Sequence, residues 1–252
     1  MMFRQIFEIA KYYRVDDWIH YLGYILISSI LVSNIKLINF ILSAIILAYA
    51  YSLNDYYDKK MKNKYFIVPL ILYWLFVPFI SYFSFIISLL FLILFTFYSW
   101  PKVWLEGKPI LSTLTNSIGF TLIFVLPINS IKILLEYYPL VMLIFTLNTA
   151  AQLLHEIVDY KEDKKIKKIT TAVNFGIKRS LFLFKICLLI VIFISFLHFY
   201  KFLWISISSI IFATFFLRLK KVNKKIRKKF KFFGIMVGIV YLVDILTVFS
   251  TN

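Results

Sequence analysis

The chain has 252 residues, of which 62% are hydrophobic, 20% aromatic and only 16% charged, with a formal net charge of +17 at pH 7. So little polar surface excludes a soluble globular domain of this length, and the strongly positive mean hydropathy points to a bilayer. The positive charge is divided among short segments between apolar runs, which argues against nucleic-acid binding.

In chain order, residues 1–11 lack a cleavable leader pattern and read as a short interfacial helix. Nine apolar segments follow, at 18–33, 37–53, 66–83, 84–100, 111–130, 138–155, 181–199, 201–217 and 232–250. Each is close to the length that a helix needs to cross a membrane. Lipid offers no partner to an open strand edge and no alternating barrel pattern is visible, so helices are expected. Charge placement supports the count. With nine crossings and the N-terminus inside, the inner segments are 1–17, 54–65, 101–110, 156–180 and 218–231. Of 29 Lys and Arg, only Lys36, Lys132 and Lys201 then lie outside. The expectation is an all-α integral protein of the plasma membrane, one domain over 1–252, its N-terminus cytoplasmic and its C-terminus outside. The run Lys220 to Lys231 reads as anchoring against anionic lipid headgroups. The lone Cys187 can form no intramolecular disulfide.

Two acidic clusters stand out, each after an apolar run and each followed by lysines. Asn54, Asp55 and Asp58 form the first; Glu156, Asp159, Glu162 and Asp163 form the second. Together they hold six of the twelve Asp and Glu residues. On a helix, Asp55 and Asp58 share a face, as do Asp159 and Asp163. Asn148, Gln152 and Glu156 recur every four residues, a polar stripe that must face the bundle interior or water. The clusters are 104 positions apart at Asp55 and Asp159, a weak internal duplication in which two helix–acidic loop–helix units would face each other across one cavity.

Carboxylates gathered at a membrane boundary are costly without a cation among them. Magnesium suits oxygen donors of this kind and bridges one or two carboxylates to substrate phosphates. A diphosphate held this way would depart as a stabilised anion. The plainer alternative is pairing with adjacent lysines such as Lys59, Lys60, Lys164 and Lys165, which is energetically weak at a surface. Abundant aromatic rings would stabilise an allylic cation, although most are expected in the lipid-facing and interfacial belts. His20 and His198 read as structural. His155 is either packing at a helix end or a base for an acceptor proton. Asp244 and Asn116 are intramembrane polar residues with either a functional or a pairing role.

The pattern resembles the UbiA superfamily of intramembrane prenyltransferases. That family carries N-D-x-x-D-x-x-x-D after its second helix and a D-x-x-x-D type motif after its sixth. Asn54, Asp55 and Asp58 match the first, Asp159 and Asp163 the second. Residues 159–172 are similar to the family's spacing up to its Ser-Thr-Ala, and Asn174-Phe175-Gly176 to its loop ending before the seventh helix. Tyr98-Ser99-Trp100-Pro101 and Pro109 resemble its signature after the fourth helix. Lys62 replaces the third Asp, the Arg-Pro-rich stretch is absent, the motif glycine falls at Lys167, and Glu106 takes the place of a central-loop lysine.

The resemblance implies nine helices around a central cavity open to the cytoplasmic side and laterally to lipid. A polyprenyl diphosphate would bind through Mg2+ held by Asp55, Asp58, Asp159 and Asp163, with Asp55 and Asp159 essential for catalysis. Asn54, Lys102 and Lys108 would contact the diphosphate, and Asn148 and Gln152 the acceptor, an aromatic ring or an alcohol. The competing expectation is a transport or lipid-binding protein that keeps the fold without chemistry. Scarce glycine and acids at the inner boundary, rather than midplane breaks, favour the enzyme.

Overall fold

A computed structural model describes residues 10–58, 63–197 and 203–250, with side chains to residue 244. The expected N-terminal interfacial helix falls mostly outside them, as do Lys59, Lys60, Lys62, His198 and Lys201. The described residues form eleven α-helices: α1 Val15–Trp18, α2 Leu22–Leu31, α3 Leu37–Tyr57, α4 Ile67–Phe76, α5 Tyr82–Ser99, α6 Leu111–Val125, α7 Ile131–Glu136, α8 Tyr138–Lys165, α9 Thr171–Leu197, α10 Leu203–Leu217 and α11 Lys224–Ser250. Four of them, α3, α5, α8 and α9, are long and apolar enough to cross a membrane, and three shorter apolar helices occur among the described residues. Each of the nine expected apolar segments overlaps a helix.

The boundaries differ from the expectation for local reasons. The segment 66–83 is not one helix: α4 passes into a 3-10 turn at Val77–Phe79, and the chain restarts where Ser81 accepts the backbone N–H of Ser84 as an N-cap. α6 stops short of Pro127 because proline cannot continue the hydrogen-bond ladder. α9 begins at Thr171, ten residues earlier than expected, but is broken at Gly176, with φ 80° and ψ 159°. Those dihedrals are open essentially to glycine alone.

Several hydroxyls inside the apolar helices satisfy themselves locally. Ser43, Ser52, Thr96, Ser117, Thr121 and Thr146 each donate to the carbonyl four residues earlier. In a lipid environment this removes the cost of an unpaired donor without needing a neighbouring helix.

The chain divides into two compact units, 1–105 with 122–136, and 106–121 with 137–252. In the first, Ser84 donates to the Leu126 carbonyl at 3.0 Å and Asn34 to the Pro127 carbonyl at 3.0 Å, tying α5 and the α2–α3 turn to the segment after α6. Tyr49 and Thr96 share a 2.8 Å hydrogen bond between α3 and α5, and the fully buried Tyr73 meets Ser88 at 3.1 Å. In the second unit α8 packs on α9, α9 on α10, and α10 on α11. Phe184, Phe212, Phe216 and Phe230 are buried there against one another, with centroid separations of 4.9–5.7 Å. Such clusters add edge-to-face attraction to area burial. α8 has 28 residues, about 42 Å of helix, against about 30 Å of hydrocarbon in a bilayer. Its last turns therefore project beyond an apolar layer that its first eighteen residues can span.

Candidate active site

Each unit carries one acidic helix end. In the first, Asp55 is buried on the last turns of α3, half-buried Asn54 lies beside it in sequence, and exposed Asp58 caps the helix, its N–H donating to the Asn54 carbonyl at 2.9 Å. The cation facing Asp55 comes from forty-one residues upstream. Arg14 Nη1 donates to Asp55 Oδ1 at 3.1 Å, its Nε to Asp17 at 2.7 Å, and its guanidinium lies 5.1 Å from the Tyr51 ring centroid. Burial would lower the Arg14 pKa, but the hydrogen bond to Asp17 and the charges of Asp55 and Asp17 outweigh it and hold it above its ordinary value. The guanidinium is thus fixed as a permanent charge on a buried carboxylate.

In the second unit the four acids of α8 separate into distinct roles. Glu156 is buried and accepts four hydrogen bonds, none from a cation. Ser112 (3.1 Å), Thr113 (2.8 Å) and Gln152 (3.3 Å) donate to Oε1, and the Ala172 N–H donates to Oε2 at 3.3 Å. Thr171 completes the clasp: its hydroxyl meets Thr113 at 2.6 Å and accepts the Ile110 N–H at 2.9 Å. This fixes Ile110 at φ 65°, a left-handed conformation costly for a β-branched residue. Glu156 therefore fastens the starts of α6 and α9 to α8.

Asp159 and Asp163 are half-buried. His155 Nδ1 lies 2.9 Å from Asp159 Oδ2, and Arg227 Nη1 is 3.7 Å from the same oxygen. Asp163 accepts from Thr170 at 3.3 Å and its carbonyl receives the Lys168 N–H at 2.9 Å. Glu162 is exposed and pairs with Lys224 at 3.2 Å. The loop between α8 and α9 turns at Lys167, whose φ of 58° is the left-handed geometry that glycine adopts freely. Lys168 then reaches back to form an ion pair with the buried Glu106.

Of the lysines expected to pair with the acids, Lys59 and Lys60 lie outside the described residues, and Lys164 lies 5.9 Å from the Tyr160 ring centroid. Among the described residues Arg14, Arg227, Lys224 and Lys168 reach carboxylates distant in sequence. Lys102, in the first unit, is exposed and 5.7 Å from the Trp100 ring centroid. Lys108, in the second, is exposed and its carbonyl accepts the Ser112 N–H at 2.9 Å. Asn148 is buried in α8. Asp244 accepts the Ile205 N–H at 3.1 Å and so caps the start of α10, and Asn116 donates to the Ser112 carbonyl at 3.2 Å.

The donor set fits magnesium by its chemistry: Asp55 with Asp58, and Asp159 with Asp163, are hard-oxygen pairs about one turn apart. Among the described residues no three His, Cys, Asp or Glu side chains converge to hold an ion. Magnesium is commonly held by one or two carboxylates, with phosphate and water completing the shell.

The UbiA prenyltransferase family model matches residues 63–237, which is well over half of the chain. The chain belongs to the UbiA prenyltransferase family. No curated protein sequence gives a significant match. Among solved structures, a UbiA homologue from Archaeoglobus fulgidus bound to DMAPP and Mg2+ aligns with a TM-score of 0.73 at 17% identity, covering 94% of this chain and 98% of the other. The same homologue bound to GPP and Mg2+ aligns at 0.72 and 18%, covering 94% and 99%. A structure of digeranylgeranylglyceryl phosphate synthase aligns at 0.69 and 19%, covering 96% and 98%. At such identities the likeness concerns the UbiA fold.

Proposed function

We propose that this UbiA-family protein transfers a polyprenyl group, within the membrane, from an isoprenoid diphosphate to an aromatic quinone precursor or to a lipid alcohol, releasing diphosphate. The observation that carries the reading is the pair of acidic helix ends, Asp55 with Asp58 and Asp159 with Asp163, in a UbiA-family chain. The binding of prenyl diphosphates with Mg2+ by the Archaeoglobus homologue supports it. These four carboxylates would hold Mg2+, which when bound supplies Lewis-acid stabilisation of the departing diphosphate. Asn54, Lys102 and Lys108 contact the diphosphate. The allylic C–O bond breaks with its electron pair leaving on the diphosphate. The acceptor's ring carbon or hydroxyl oxygen forms the new bond to that carbon and loses a proton. Nine helices cross the membrane around a cavity open to the cytoplasm, and residues 1–252 act as one domain.

A second reading rests on a specific contact. Arg14 already neutralises Asp55, and Glu106 stands where the resemblance places a lysine, so a lipid-binding or transport protein that keeps the fold without turnover is the alternative. Incubating membranes that contain the protein with labelled prenyl diphosphates, Mg2+ and aromatic or alcohol acceptors separates the two. Magnesium-dependent diphosphate release with transfer of label is expected. No release with any donor and acceptor supports the alternative.

A further inference from the structure

The last two helices of the second unit enclose an apolar groove that the proposed chemistry does not use. A cavity of about 230 Å3 is lined by Ser208, Phe212 and Phe216 of α10 and by Phe233, Val237 and Val240 of α11, among others. Ser208 to Phe216 is about 12 Å of helix. The floor is buried at Phe212 and Phe216, whereas Phe215 and Phe233 at the rim are exposed.

Above the groove the chemistry changes abruptly. On α11, Lys225 and Lys229 precede Phe233 and Val237 at intervals of four, so all four residues share one stripe. Arg218 follows Phe215 by three residues at the end of α10. These three cations are in addition to Lys224 and Arg227, which face the acids of α8. The sequence has no Asp or Glu between Asp163 and Asp244, so α10 and the first turns of α11 carry no acid of their own. A cationic rim over an aromatic-lined trough matches an amphiphile with an anionic head and an apolar chain.

We propose that the α10–α11 groove is a binding site for one anionic membrane phospholipid, its phosphate at Arg218, Lys225 and Lys229 and one acyl chain along Phe215, Phe216, Phe233 and Val237. Aromatic walls and a fixed trough distinguish the site from the diffuse attraction of a basic loop for a charged bilayer. The site needs no turnover and stands whether or not the protein is an enzyme.

The test uses the full chain in nanodiscs of equal parts phosphatidylglycerol and phosphatidylcholine, released for native mass spectrometry. One retained phosphatidylglycerol per chain is expected, preferred over phosphatidylcholine by roughly tenfold or more. Replacing Arg218, Lys225 and Lys229 together by Gln removes that preference, whereas the isovalent control replacing Lys220, Lys221 and Lys228 keeps it. Val237→Phe, which fills the trough and leaves the charge unchanged, loses the retained lipid with an unaltered melting temperature. Equal loss in the two charge variants, retention in Val237→Phe, or displacement of the lipid by a soluble prenyl diphosphate each overturns the assignment.

Discussion

Arg14 and Asp55 carry the sharpest residue-level consequence. A carboxylate this buried is expensive without a partner, and the guanidinium supplies a charge-assisted hydrogen bond. Arg14→Gln is expected to destabilise the protein by roughly 1–3 kcal/mol, because the buried acid is left under-compensated. If Mg2+ binds Asp55, millimolar Mg2+ raises the melting temperature of Arg14→Gln more than that of the parent. An equal response in both proteins excludes Asp55 as a ligand. Asp55→Ala and Asp159→Ala are each expected to abolish turnover at normal expression levels, and retained turnover in both defeats the metal assignment. Glu156 predicts the opposite profile. Glu156→Gln places an amide N–H2 among four donors, so a loss of roughly 2 kcal/mol is expected in thermal unfolding, with no change in Mg2+ response.

At the scale of elements, the loop between α8 and α9 is under backbone strain that sequence spacing alone flags only as a missing glycine. Lys167 holds a left-handed conformation, and Lys167→Gly should relieve up to about 1 kcal/mol, visible as a small rise in melting temperature. Gly176 is the reverse case. Nothing lies within 4 Å of a side chain built there, so Gly176→Ala meets no steric obstacle; only the dihedrals resist it, at a cost of about 1–3 kcal/mol. Both acidic motifs and the apolar segments were legible in the sequence because residue type and composition record them, whereas Asn174-Phe175-Gly176, expected as the loop ending before the seventh helix, lies inside α9 with a break at Gly176. The split of 66–83 into α4 and a capped α5 was not legible, since an apolar run hides a local break. Nor were the partners of the acids: Arg14, Arg227 and Lys168 reach their carboxylates across long sequence separations, which no spacing rule encodes. Glu156 looked like another acid of its cluster. The hydroxyls of Ser112 and Thr113 at the head of α6 were the available hint that it serves packing.

For the whole molecule, the proposed topology is checked by cysteine labelling in a Cys187→Ser background. Lys36→Cys is expected to react with an impermeant maleimide from outside intact cells, and Lys220→Cys only after permeabilisation. Reaction of both from the same side removes the nine-crossing arrangement. The long stretch without carboxylates also sets how the last third of the chain answers to acidity. Between Asp163 and Asp244 the ionisable side chains are Lys, Arg and Tyr, joined by Cys187 and His198. Lysine, arginine and tyrosine titrate well above neutrality. In that stretch of sequence His198 is the one side chain whose ordinary range lies between about pH 4 and neutrality. Acid-induced loosening of this region from a lipid surface then originates in groups outside it: the headgroups, as their phosphates and carboxylates take up protons, and the α8 carboxylates that Lys224 and Arg227 face.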